Sequence, residues 1–205
     1  MSGENTFEIR KAVREGNLID AKACHAKNPN LYLALDSLGC APIFVACSEG
    51  HHEIVDWLLS LGGNDVFASD INNYNALHAA ACHGHLEIVK ILLREGYRAS
   101  DQIDRVGFLG YSPFYVACIF GHLNVAEALL SAGANINHVD KEGSTALMVA
   151  CKLGKLGTVT LLVEAGADVH VRDNEGTTAY SNAEMYNHTN VVKYLKNSGV
   201  LNSGK

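Results

Sequence analysis

No stretch of this 205-residue sequence stays apolar for anything near the ~18 residues that cross a membrane, and its start, Met-Ser-Gly-Glu-Asn-Thr-Phe-Glu-Ile-Arg, is polar. The expectation is a chain without membrane insertion, in a cytoplasmic or nuclear compartment. Basic charge is short as well: 16 Lys and Arg stand against 22 Asp and Glu, for a formal charge of -6, with no basic cluster. A phosphate-tracking surface needs several cations on one face, so nucleic acid is not an expected partner. Glycine-rich phosphate loops, nucleophile elbows and paired-carboxylate pockets are missing too, which argues against an enzyme.

The cysteines lack the spacing of a metal site. Cys82-His83-Gly84-His85 gathers a thiol and two imidazoles, but zinc takes four ligands and no second ligand pair stands at a usable distance in sequence. No cofactor or metal is expected. A disulfide framework fits no better. Cys47, Cys118 and Cys151 each follow an Ala at the same place in the second, fourth and fifth units, and stacked helices lie about 8–10 Å apart, whereas a disulfide wants Cα atoms within about 7 Å. Small, buried, reduced side chains are expected.

What the chain has instead is a period. Gly16, Gly50, Gly84, Gly121, Gly154 and Asn187 are separated by 34, 34, 37, 33 and 33 residues. Twelve residues after each stands a second mark: Asn28, Gly62, Gly96, Gly133, Gly166 and Gly199. Both sets suit the left-handed residue with which a helix often ends. The stretch from Asp70 to Gly96 is the clearest copy and reads as turn, helix, tight turn, helix. Leu77, Ala80 and Ala81 line one helix, and Ile88, Val89, Leu92 and Leu93 the other. Those faces are too small to form a core alone, so each unit must bury them against neighbours of its own kind.

The units divide as a capping repeat over 1–35, internal repeats over 36–69, 70–103, 104–139 and 140–172, and a second cap over 173–205, an array that reads as complete at both ends. In the first unit Phe7, Ile9 and Val13 suggest one helix and Leu18, Ala21 and Ala23 the next, before Asn28-Pro29 ends it. Asn75, Ser112 and Thr145 are expected helix caps, while Ala41 offers none, and Pro42 and Pro113 suit a first turn. One irregularity interrupts the period. Gly96 to Gly110 spans 14 residues where Gly133 to Gly143 spans 10, so about four extra residues sit within Ser100 to Leu109.

Asn75-Ala76-Leu77-His78-Ala79-Ala80-Ala81 followed by Gly84-His85-Leu86-Glu87-Ile88-Val89, echoed by Thr145-Ala146-Leu147 and Gly121-His122-Leu123, resembles the ankyrin repeat family. The resemblance covers nearly the whole chain, strongly over 36–199 and weakly in the first unit. It implies an all-α fold, an α-solenoid of about six stacked helix-turn-helix repeats with short β-hairpin fingers. It also implies a non-catalytic protein-protein interaction scaffold or adaptor, using its concave face and finger tips. The alternative is an inhibitory or assembly-chaperone subunit that occludes a kinase, a transcription factor or a proteasome component. A monomer is expected.

Family contact positions fall on Leu38, Ile71, Asn72, Tyr74, Cys82, His83, Phe108, Leu109, Tyr111, Ile119, Phe120, Leu153, Met185 and Tyr186. The middle of this set is apolar. Positions not needed for stacking should be polar when nothing binds them, and Tyr74, Phe108, Leu109, Tyr111, Ile119 and Phe120 break that expectation together. The competing reading folds Ile119 and Phe120 under the enlarged finger as local core. The turn histidines His51, His85, His122 and His188 are expected to bond the backbone of the adjoining finger. Asn137 matches the position at which some ankyrin proteins resemble substrates of an asparaginyl hydroxylase, and the plainer reading is an Asn that fixes its turn.

Overall fold

The computed structural model describes residues 2–62, 69–94 and 100–202. Its helices come in pairs: α1 (Ser2–Arg14) with α2 (Leu18–Lys27), α3 (Pro42–Glu49) with α4 (His52–Ser60), and α5 (Ala76–Cys82) with α6 (Leu86–Arg94). After the short α7 (Ser100–Ile103) follow α8 (Pro113–Phe120) with α9 (Leu123–Ser131), α10 (Ala146–Lys152) with α11 (Leu156–Glu164), and α12 (Ala179–Met185) with α13 (Thr189–Asn197). The first helices pack in one row from α1 to α12 and the second helices in another from α4 to α13. The chain is an all-helical solenoid.

Side chains start the first helices. Asn75, Ser112, Thr145 and Thr178 each accept the backbone N–H three residues on, while Ala41 leaves α3 without a side-chain cap and Pro42 occupies its first turn. The second helices bury one leucine at the same place in each copy. Leu58, Leu92, Leu129, Leu162 and Leu195 are all sealed from solvent, each contributing about 2–3 kcal/mol of apolar burial. In the first pair the core comes from Ile9, Val13, Ala21 and Cys24, whereas Phe7 and Ala23 face solvent.

The marks at the helix turns all take positive φ, including Asn187 at 59°. Of the second marks, Gly96 lies outside the described residues, and Asn28 departs from expectation. Its φ is -147°, because the proline that follows pushes it to extended backbone, and its side chain caps a 3-10 turn over Pro29–Leu33.

The fingers are turns rather than strands. Among the described residues a single antiparallel bridge, Val139 with Thr145, has strand character. The physical reason lies in one aspartate in four of the fingers, the other carrying Gly107 at that place. Oδ1 of Asp36, Asp70, Asp140 and Asp173 each accepts the N–H groups two and four residues on, which satisfies the turn locally. Backbone bonds then tie each finger to the next, from Ile71 to Leu38, Phe108 to Asn72, Lys141 to Leu109 and Asn174 to Glu142.

The insertion is part of the scaffold. Ile103 is 2% exposed, and Asp104 Oδ1 accepts the Asn135 N–H at 2.9 Å. On the other side Asn75 Nδ2 donates to the Gln102 carbonyl and Asn73 Nδ2 to that of Val106, while the Arg105 guanidinium donates to Asn73 Oδ1 at 2.7 Å. The extra residues therefore bridge the repeats on either side of them.

The turn histidines hold something other than a finger. Nε2 of His51, His85, His122 and His188 lies 2.9–3.0 Å from the carbonyls of Arg14, Ser48, Cys82 and Lys152, all at or beside the C-terminal end of the preceding repeat's first helix. Helix ends leave carbonyls without intrahelical partners, so each imidazole caps its neighbour's helix.

Candidate functional site

The face formed by the first helices and the fingers carries an apolar groove of about 310 Å³ spanning three successive first helices. Phe44 and Ser48 come from α3, His78, Ala79, Cys82 and His83 from α5 and its C-terminus, and Val116 and Phe120 from α8, while Tyr74 and Tyr111 project from the fingers. Tyr74 meets the His78 ring edge-on with centroids 5.0 Å apart, and Tyr111 stacks on Tyr115 at 4.8 Å. Tyr115 itself is buried, and its hydroxyl donates to Asp140 Oδ2 at 2.6 Å.

Burial shapes the chemistry of this groove. His78 is 2% exposed, its Nε2 donates to the Tyr111 carbonyl at 3.0 Å, and its Nδ1 accepts the Asn75 N–H at 3.2 Å. Desolvation lowers its pKa to about 4, so the ring is neutral. The phenols of Tyr74 and Tyr111 and the thiol of Cys82 are pushed up, each chiefly by burial. His78, Tyr74, Tyr111 and Cys82 are thus uncharged in the lining at neutral pH, while His83 is exposed, with its Nδ1 3.0 Å from the Ala79 carbonyl. The groove can bury an apolar or aromatic group.

Of the residues singled out in sequence, the groove gathers Tyr74, Cys82, His83, Tyr111 and Phe120. Phe120 is 55% exposed, whereas Ile119 is half-buried and packs on the core. Phe120 thus faces solvent while Ile119 packs inward. Leu38, Ile71, Asn72, Phe108 and Leu109 stand exposed along the fingers, with Lys141 Nζ lying 4.2 Å from the centre of the Phe108 ring. Met185 and Tyr186 border a second depression further along, and Leu153 is exposed between them and the groove. Asn137 accepts the Asp168 N–H at 2.9 Å through Oδ1, which joins consecutive repeats.

Phe44 and Val116 were missed. Phe44 occupies the place in its repeat that His78 and Tyr115 hold in theirs. Its aromatic character was the available signal. Gly107 was missed as well, since only the folded chain shows that it faces Tyr74.

All six cysteines are free, and among the described residues no group of three His, Cys, Asp or Glu side chains is placed to hold a metal ion. No helix among them is long and apolar enough to cross a membrane.

Paired helices stacked in two rows, with turn glycines in register and capping imidazoles between copies, define a repeat protein built for recognition by surface. The family model for ankyrin repeats (3 copies) matches residues 9–103, 43–140, 98–173 and 114–203. The chain belongs to the ankyrin repeat family. It is similar to the E3 ubiquitin-protein ligase XBAT32 of Arabidopsis thaliana, at 29% identity over 71% of this chain and 39% of that protein. It is similar also to the target of rapamycin complex 2 subunit AVO2 of Saccharomyces cerevisiae, at 28% identity over 72% of this chain and 34% of that protein. A third relative, the tyrosine-protein kinase HTK16 of Hydra vulgaris, is 29% identical over 60% of this chain and 18% of its own length. The chain spans less than two fifths of each of these relatives. What they share with it is the repeat array, a fold whose general business is protein-protein interaction.

Proposed function

We propose that this chain is a non-catalytic scaffold that binds a partner protein on its concave face and finger tips. The observation that carries the reading is the apolar groove between Tyr74, Cys82, Tyr111 and Phe120, where a half-exposed aromatic wall lies on helices whose opposite sides already fill the core. Apolar surface of this kind, unused by the fold, is what an interface buries, and aromatic side chains near its centre make binding hot spots. Membership in a complex, as the name of the yeast relative states for that protein, fits the same role. Six reduced cysteines suit a reducing compartment, so we place the chain in the cytoplasm or nucleus as a monomer.

The test is capture of partners from a lysate by the intact chain and by Phe120→Glu, with the melting temperature of both recorded. A variant that folds and loses a defined set of proteins supports the reading. A variant that folds and retains every partner overturns it at this groove.

A further inference from the structure

Resting on that reading, we infer that the partner enters as an extended segment carrying a large apolar or aromatic side chain and, about five or six residues away, a lysine or arginine. Tyr111 is the groove's far wall and also the near wall of a second depression of about 390 Å³ on the same face. The two share a boundary but differ in chemistry.

The second depression is acidic. Asp140, Glu142, Asp173 and Glu175 line it, against one cation, Lys152. The aspartates are occupied, since each holds the N–H groups of its own finger turn and a hydroxyl, that of Tyr115 for Asp140 and that of Thr177 for Asp173. Lys152 lies over the Tyr186 ring, with Nζ 5.5 Å from its centre. Glu142 and Glu175 are different. Both are exposed, they occupy the same place in successive fingers, and among the described residues no ion pair engages either carboxylate. Two uncommitted carboxylates one repeat apart, beside a neutral apolar groove, select a cation next to an apolar anchor. An acidic segment would meet like charge there.

The geometry sets the spacing. The groove centres on α5, and the nearer carboxylate, Glu142, stands on the finger that leads into α10, with α8 between them, so the two are two helix steps apart, roughly 16–20 Å at the usual 8–10 Å between packed helices. An extended chain covers that in about five or six residues at ~3.3 Å each.

The probe is a library of random peptides of twelve residues displayed on phage, selected on the intact chain, with the enriched peptides then synthesised and titrated. The expected consensus pairs an aromatic or large aliphatic residue with Lys or Arg at the stated spacing. Affinity should fall at least tenfold in Phe120→Glu and at least tenfold in Glu142→Lys/Glu175→Lys, and the second loss should shrink when salt is raised. Circular dichroism melts show that each variant folds. Peptides lost in Phe120→Glu but lacking a basic residue, or indifferent to Glu142→Lys/Glu175→Lys, overturn this inference and leave the concave scaffold standing. Peptides indifferent to all three substitutions, an empty selection, or self-association of the chain abolished by Phe120→Glu would sink the inference and the partner-groove reading together.

Discussion

Gly107 lies flat against the ring of Tyr74: a Cβ at residue 107 would fall 2.1 Å from Tyr74 Cε1 and 2.5 Å from Cδ1 and Cζ. The glycine is buried and its φ is not in the left-handed region, so space alone demands it. Gly107→Ala must turn Tyr74 out of its place in the groove wall. The expected cost is about 1–3 kcal/mol in urea unfolding, the usual range for overpacking. In a Tyr74→Ala background the same substitution should cost much less, and an undiminished cost would show that the glycine serves something other than the ring.

His78 makes stability depend on pH. Its folded pKa is about 4, against 6.5 for a free imidazole, so between those values the unfolded chain binds the proton and the folded chain does not. Folding therefore weakens as pH falls from 6.5 towards 4, by up to about 3 kcal/mol from this residue, and regains full strength above 6.5. Unfolding midpoints from pH 7.5 down to 4.5 should drop less steeply in His78→Gln than in the native chain. Parallel slopes would count against the neutral buried imidazole.

Much of the array was legible in sequence because its causes are local. A turn needing positive φ selects Gly or Asn, a helix start selects Asn, Ser or Thr, and a helix face repeats its apolar residues, so Gly84, Ser112 and Leu92 announce their roles without the fold. Relationships between repeats were not legible. Nothing in the order of residues says that His85 reaches Ser48, that Arg105 reaches Asn73, or that Phe44 shares a groove with Phe120. Those contacts depend on how one copy docks on the next, and one-dimensional spacing carries no docking angle. Asn28 shows a third case, where the neighbour Pro29 outweighs the period.

Gly84 should be the more demanding of two glycines with left-handed backbone. Its φ is 74°, and a Cβ there would lie 2.5 Å from His122 Nδ1, whereas at Gly133 (φ 101°) nothing lies within 4 Å. Gly133→Ala should cost about 1–2 kcal/mol, from the left-handed backbone alone. Gly84→Ala adds displacement of the imidazole from the Cys82 carbonyl, a hydrogen bond worth about 1 kcal/mol, and should cost correspondingly more. With His122→Ala already in place, Gly84→Ala should fall back to the Gly133→Ala cost. Equal losses at the two glycines in the native background would remove the histidine clamp from the account.

Thiol chemistry reads the groove directly. Cys47, Cys118 and Cys151 are fully buried, and burial raises their pKa, to about 12 for the last two. Cys82 is half-exposed in the groove wall, and burial raises its pKa as well. Only the thiolate reacts, so at pH 8 iodoacetamide should modify Cys82 ahead of those three, yet more slowly than a free cysteine. The other three should react only as the chain unfolds, at a rate that rises with urea. Peptide mapping by mass spectrometry resolves the sites. A groove-bound segment must cover Cys82 as it packs between Tyr74 and Phe120, so saturating peptide should slow its alkylation severalfold, and by stabilising the folded chain it should slow the unfolding-gated cysteines too. Protection at Cys151 with none at Cys82 would report binding elsewhere on the folded chain and move the binding surface off the groove.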